Sequence, residues 1–443
     1  MKMFRLLPLF VAVSAALALP VQAQSLVQLY ESARSFDASY QSAKSLYDAT
    51  LAKADQAKAA ILPTANLAAG YSRSRQDYTA DPATAVDSSY GTQSGTLSAS
   101  QPLYRPANWA SYRQGIKQID LAQAQLAVAD QDLIVRVSQA YFDVLAAKDS
   151  LAFIRAQKAA VAEQLASAKR NFEVGTATIT DTRDAQAKYD LVVAQEIAAD
   201  NDLRVKKIAL DQLVGTDNTQ PLALAKLSLP ALQPDDVKIW VNQSEGGHPA
   251  IQQAQIALDV AQLETEKAKA GHKPTLDLSA SYTAINNMDG SSTPGSKGSH
   301  VNSATLGLSF NLPLFAGFAT QNRIRETLSL EEKARNDLEG ARRTVAQATR
   351  TAFFGVLSGL GQVKALEAAE VSSQSALDAN QLGYQVGVRI NIDVLNSQSQ
   401  LFDTKAKLAK ARYDVLLGGL KLRQANGTLK ADDLQSVNAL LVK

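Results

Sequence analysis

The sequence predicts an α+β chain built from one unit written twice: a helix, two strands, a long helix, a turn and a further helix. Three observations predict it. The first is repetition. "FEVGTATITDTR" (172–183) and "YQVGVRINIDVL" (384–395) share an aromatic residue, a glycine three positions on and an aspartate six beyond that. Gly175 and Gly387 are 387 − 175 = 212 residues apart, and Asp181 and Asp393 keep that separation. "ILPTANLAAGYS" (61–72) matches "HKPTLDLSASYT" (272–283), and "QPLY" (101–104) matches "LPLF" (312–315), both at an offset of 211. "AYFDVL" (140–145) matches "AFFGVL" (352–357), and "LVG" (213–215) matches "ANG" (425–427), at 212. A fixed period of this kind signals duplicated architecture. The second observation is a pair of very long proline-free runs. The third is short stretches that alternate apolar and polar residues.

Taken in order, residues 1–23 read as a signal peptide. Lys2 and Arg5 precede an apolar run from Leu6 to Leu19, and "VQA" ends at Ala23. No later segment approaches the ~18 apolar residues of a spanning helix. The first repeat covers 24–215. Residues 26–61 lack proline and glycine and read as one helix, which Pro63 ends as Pro274 does in the second copy. Strands follow near 64–73 and 94–101. The second repeat covers 249–427, with strands near 275–284 and 304–312. There Leu276, Leu278, Ala280 and Tyr282 alternate with polar residues, as do Leu306, Leu308, Phe310 and Leu312. The polar stretches 74–93 and 284–301 read as exposed loops. Residues 216–248 and 428–443 fall outside the repeat.

The alternation fits a soluble hairpin with one packed face, and equally a transmembrane β-strand that is greasy outside and polar inside. Export favours the membrane. Four strands cannot close a membrane barrel, because an open edge in lipid leaves backbone groups unpaired. Several chains must then share one barrel, and the pattern does not separate two from three.

From Trp109 to Phe172 there are 64 residues without proline. As one helix they span roughly 96 Å. Ile119, Leu126, Leu133, Val137, Tyr141, Val144, Leu151, Ile154, Val161, Leu165 and Phe172 follow heptad spacing. A second series, Leu121, Val128, Val135 and Phe142, lies about 200° away around the helix. Two seams call for neighbours on both sides, as in the staves of a tube or in a large solid bundle. The second copy is proline-free from 314 to 384, and Gly340, Gly355, Gly359 and Gly361 make a bend plausible.

Composition excludes much. Beyond residue 23 the chain holds 43 basic and 43 acidic residues, so nothing draws it to nucleic acid. Without cysteine it has no disulfide, no thiolate chemistry and no lipidated N-terminal cysteine. His248, His272 and His300 are scattered, and no metal, nucleotide or nucleophile motif is present. No enzyme and no cofactor is expected.

"PTLDLSASY" (274–282), "GLSFNLPLF" (307–315), "AYFDVLAAKDSL" (140–151), "NFEVGTATITD" (171–181) and "GYQVGVRINIDVL" (383–395) resemble the TolC family of outer-membrane efflux and secretion channels. The resemblance runs the length of the mature chain. It is closer to the family's namesake than to the lipid-anchored branch, which needs the missing cysteine. It implies a homotrimer in a Gram-negative outer membrane. Three chains would give a twelve-stranded barrel, continued into the periplasm by a tube of twelve helices. An equatorial belt would include 216–248 and 428–443. Pro102, Pro313, Tyr104 and Phe315 fall at the barrel-to-tube junction. The turns at Gly175 and Gly387 become periplasmic hairpin tips. Tyr384 and Arg389 match gate residues whose partners match Thr180 and Asp181. Asp393 matches the first of two aspartate rings at the entrance constriction, and Asn396 stands where the second belongs. Read locally, both Asp181 and Asp393 look like ordinary helix N-caps, a role compatible with the gate. The family's partners are a periplasmic adaptor protein, an inner-membrane RND or ABC transporter and outer-membrane lipid. The implied function is a passive duct for small molecules or unfolded proteins. The alternative is a structural filament or adhesin of long helices.

Overall fold

A computed structural model describes residues 24–80, 84–225, 229, 231–290 and 297–441. The expected signal peptide, 1–23, lies outside the described residues. The chain divides into two compact units. One holds Met1–Ser42, Ala127–His248 and Thr344–Lys443; the other holds Ala43–Leu126 and Pro249–Arg343.

The second unit contains an antiparallel sheet of β1 (Thr64–Ala80), β2 (Thr84–Tyr104), β3 (Thr275–Met288) and β4 (Ser299–Asn311), paired in that order. The two repeats therefore meet at β2–β3. In register, Leu67, Leu97, Tyr282 and Ala304 form one row, and Leu276 stands opposite Phe310. Ala65, Ala99, Ala280 and Leu306 form another row on the same face. Period-two geometry thus gathers the apolar residues of both repeats on one side. That side is bare: Leu67 is 78 %, Leu306 76 % and Phe310 66 % exposed. Asn66, Ser98, Ser281 and Thr305 form a row on the opposite face, where Thr96 and Thr283 hydroxyls lie 3.2 Å apart. Among the described residues the outer edges of β1 and β4 have no partner strand.

The strands outrun the alternation. The stretch 74–93, expected as a loop, is mostly strand, and the ladder continues to Ala80 opposite Thr84. The expected loop 284–301 likewise gives way to strand as far as Met288 and again from Ser299. Beyond the apolar band the sequence loses its regular alternation, while backbone pairing persists.

The helices are α1 (Leu26–Phe36), α2 (Ala38–Ala59), α3 (Pro106–Glu173), α4 (Ile179–Val214), α5 (Val237–Gly247), α6 (Pro249–Ala270), α7 (Ala319–Gln385), α8 (Asn391–Ala425) and α9 (Asp433–Asn438). The expected single helix over 26–61 is two, broken at Asp37. Its carboxylate accepts the Tyr40 N–H at 2.8 Å and the Arg136 guanidinium at 2.8 and 2.9 Å. A side chain that caps a second helix and ties it to α3 outweighs helix propensity. Proline opens α3, where its missing N–H is harmless. The four glycines do not break α7. A Cβ on Gly359 would sit 2.9 Å from a Val415 methyl of α8, so this glycine permits close approach of the two helices.

In the first unit, Leu133, Val137, Tyr141 and Val144 are all buried. Of the second seam, Val135 and Phe142 are buried and Val128 is 39 % exposed. Phe142 stacks on Tyr413 at 5.8 Å, and the Tyr413 hydroxyl donates to Asp149 at 2.6 Å.

Arg136 holds the Asp37 carboxyl below its usual range, chiefly through their hydrogen bonds. Because the folded value is depressed, the stabilisation is present above the unfolded value of ~3.9 and lost as pH falls through the folded one. Asp37→Ala should cost about 1–3 kcal/mol at neutral pH. Unfolding measured at pH 7 and again near pH 3 should show the difference from wild type shrinking in acid.

Candidate functional site

The chain reverses direction at two hairpins, α3–α4 and α7–α8, and builds both turns alike. At the first, Gly175 N–H donates to Phe172 O at 3.0 Å, while Thr176 and Ala177 N–H groups donate to Asn171 O at 2.8 and 3.2 Å. At the second, Gly387 donates to Tyr384 O at 3.1 Å, and Val388 and Arg389 donate to Gly383 O at 2.9 and 3.1 Å. The φ angles are +78° and +80°. Added methyls at the two glycines would meet nothing within 4 Å, so only backbone conformation requires glycine here.

Neither aspartate is an N-cap. Thr178 caps α4, and Asp181, three residues on, returns its carboxylate to the Thr178 N–H at 3.0 Å and hydroxyl at 2.7 Å. This is a capping box, one position pattern further than the simple cap expected. Ile390 precedes α8 and has no side-chain cap. Asp393 instead faces Arg389, one turn back, at 3.7 Å. The corrected positions follow from the turn: its last residue takes the extended cap conformation, which leaves the aspartates inside the first helical turn.

The other expected residues are placed as follows. Tyr384 is half-buried against Leu377, Val394 and Leu401, and its hydroxyl accepts from Asn171 Nδ2 at 3.3 Å. Thr180 and Asn396 are exposed. Within one chain, then, Tyr384 meets Asn171 and Arg389 meets Asp393, rather than Thr180 or Asp181. Pro102 lies within β2, opposite Asp277, and Tyr104 lies opposite Leu276 across a bulge. Arg105 then grips Asp277 through two bonds of 2.7 and 2.6 Å, and α3 begins at the next residue. The second copy takes longer. Pro313 and Phe315 lie between β4 and α7, Phe315 and Phe318 rings meet edge to face at 5.4 Å, and Gly317 and Phe318 have φ of +57° and +63°.

Sequence reasoning missed Asn171, Gln164 and Asn391. Asn391 is fully buried; it accepts from Gln164 of α3 and donates to the Asp181 carbonyl of α4 at 3.4 Å. Repeat comparison held the signal: the matching residue in the first copy is Ile179, 48 % exposed. Among the described residues no cluster of His, Cys, Asp or Glu is placed to hold a metal ion.

The family model described as "Outer membrane efflux protein" matches residues 29–216 and 240–428, one block for each repeat. This chain belongs to the outer membrane efflux protein family. Outer membrane protein TolC of Vibrio cholerae is 34 % identical over 439 residues, covering 99 % of this chain and 98 % of that protein. Alkaline protease secretion protein AprF of Pseudomonas aeruginosa is 31 % identical over 80 % of this chain and 74 % of its own. The crystal structure of the outer membrane protein VceC from Vibrio cholerae matches with a TM-score of 0.77 at 19 % identity, covering 91 % of this chain and 96 % of that one. That likeness carries the fold. As an outer membrane efflux protein the chain is a protein of the Gram-negative outer membrane, and its relatives are channels rather than enzymes.

Ile390→Thr should rebuild on α8 the capping box that Thr178 and Asp181 make on α4. The expected gain is about 0.5–2 kcal/mol, read as slower amide exchange in the first turn of α8, with Asp393 drawn away from Arg389.

Proposed function

We propose that the chain is the outer-membrane exit duct of a tripartite efflux pump or type I secretion system. The observation that carries this reading is the sheet: a bare apolar face, a polar reverse face, and two edges that lack partners. In lipid every backbone polar group must be paired. Edge-to-edge union of identical copies supplies the pairing, and three copies give twelve strands, an even number within the range of bacterial barrels. The apolar faces turn to lipid and the serine and threonine faces line the lumen. The partly exposed second seam of α3 is the surface on which helices of neighbouring copies pack into a tube. Pro102 and Tyr104, with Pro313 and Phe315, mark the junction of barrel and tube, and 216–248 with 428–443 contribute to the equatorial belt.

The hairpin turns lie at the periplasmic entrance. In the trimer Arg389 and Tyr384 bond to Thr180 and Asp181 across hairpins and hold the entrance narrow. Val174, Val386, Val388 and Ile390, all exposed at the turns, offer apolar contacts to a periplasmic adaptor. That adaptor joins the duct to an inner-membrane RND or ABC transporter, which supplies the energy. Three copies of Asp393 form one carboxylate ring that favours cations. Asn396 leaves the second ring uncharged, and Arg389, within 3.7 Å of Asp393, offsets part of the first.

Single-channel conductance in planar bilayers tests this. Wild type should give small cation-selective steps. Tyr384→Phe with Arg389→Ser should enlarge them several-fold and sharpen cation preference, while Asp393→Ala should abolish that preference. A membrane-extracted oligomer that passes no current would sink the duct and return the helical filament to consideration.

A further inference from the structure

The contacts near the hairpin turns divide by charge in an unexpected way. The ionised groups form their contacts within their own hairpins: the Asp181 carboxylate in the cap of α4, and Arg389 with Asp393 along α8. What crosses from one hairpin to the other is uncharged. Gln157 Nε2 donates to Ser399 Oγ at 3.2 Å, Gln164 to Asn391 Oδ1, Asn391 Nδ2 to the Asp181 carbonyl at 3.4 Å, and Asn171 Nδ2 to Tyr384 Oη at 3.3 Å. Among the described residues no ion pair joins the hairpins over this stretch. The Gln157–Ser399 and Gln164–Asn391 rungs follow the antiparallel course of α3 and α8. Residues 391, 395 and 399 succeed one another at one-turn intervals, and between the polar rungs Leu395 packs with Val161, Leu165 and Ala168.

Asn391 is the centre of this ladder. It is the only rung whose side chain bonds to both helices of the opposite hairpin, and it is 0 % exposed. A buried amide stripped of its partners is costly, because no water replaces them. Separating α8 from the α3–α4 hairpin breaks both of its bonds at once. We infer that Asn391, through Gln164 and the Asp181 carbonyl, is a clasp between the two hairpins of each protomer and sets how readily the entrance opens. Since both of its bonds are neutral, the clasp holds at ionic strengths that weaken the exposed Arg389 contacts. The inference rests on the duct reading above, and Asn391 acts as a positioning residue that touches no cargo.

The test is single-channel recording of the trimer from outer membranes in 0.1 M and 1 M KCl. Asn391→Ala should raise open-state occupancy roughly tenfold, by the same factor in both salts. The gain from Arg389→Ser should instead shrink as salt rises. Gln164→Leu with Asn391→Leu, which removes both partners and keeps apolar volume, should open less than Asn391→Ala. Because the chain has no cysteine, a lock is also available. Gln164→Cys with Asn391→Cys, oxidised, should stay at the closed conductance even beside Arg389→Ser, and reduction should release it. A trimeric Asn391→Ala channel that gates as wild type would overturn the clasp. So would an oxidised double-cysteine channel that opens as freely as the reduced one, and this second arm decides the matter if Asn391→Ala does not assemble. Wild type passing no current would instead overturn the duct itself.

Discussion

Everything in this molecule answers to the unpaired backbone along the outer edges of β1 and β4. A four-stranded sheet in water could cover its edges with charge, a bulge or a helix. A sheet with Leu67, Leu306 and Phe310 exposed to hydrocarbon has none of these options, because each open N–H and C=O there costs several kcal/mol. On the proposed duct reading, closure with other copies supplies the missing pairs. Once copies are arranged around an axis, the helices of each chain acquire neighbours on two sides, and the double seam of α3 has its use.

Duplication supplies the geometry economically. One helix–strand–strand–helix–helix unit gives two strands and one hairpin; two copies, joined at β2–β3, give a sheet with a continuous apolar face across the joint. Leu97 of the first repeat stands beside Tyr282 of the second as though the sheet had been made in one piece.

What was legible in the sequence was whatever repeats or alternates. The two turns at Gly175 and Gly387 were visible because only glycine adopts their backbone freely, and the apolar face of β4 because lipid demands a period of two. The ends of the strands were not legible. Past Tyr71 and Gln93 the sequence loses its regular alternation, so no period of two records that the ladder goes on to Ala80. The break at Asp37 was hidden for a different reason: its partner Arg136 is distant in sequence, and no local pattern announces a long-range ion pair. Taking the aspartates near the turns as caps placed the helix starts three residues too late, because the extended residues Thr178 and Ile390 occupy the cap position. Asn391 was not legible either, because its partners Gln164 and Asp181 are distant in sequence.

The pairing of Ile179 with Asn391 carries a last consequence. At matched positions one repeat shows an aliphatic side chain to solvent while the other encloses an amide. The halves began as copies and are no longer interchangeable. A protein assembled from two first repeats would retain both strands, both long helices and both glycine turns, yet it would present isoleucine where Gln164 needs a carbonyl. Symmetry survives in the strands, the long helices and the glycine turns. It has been given up where one hairpin encloses an amide and the other does not.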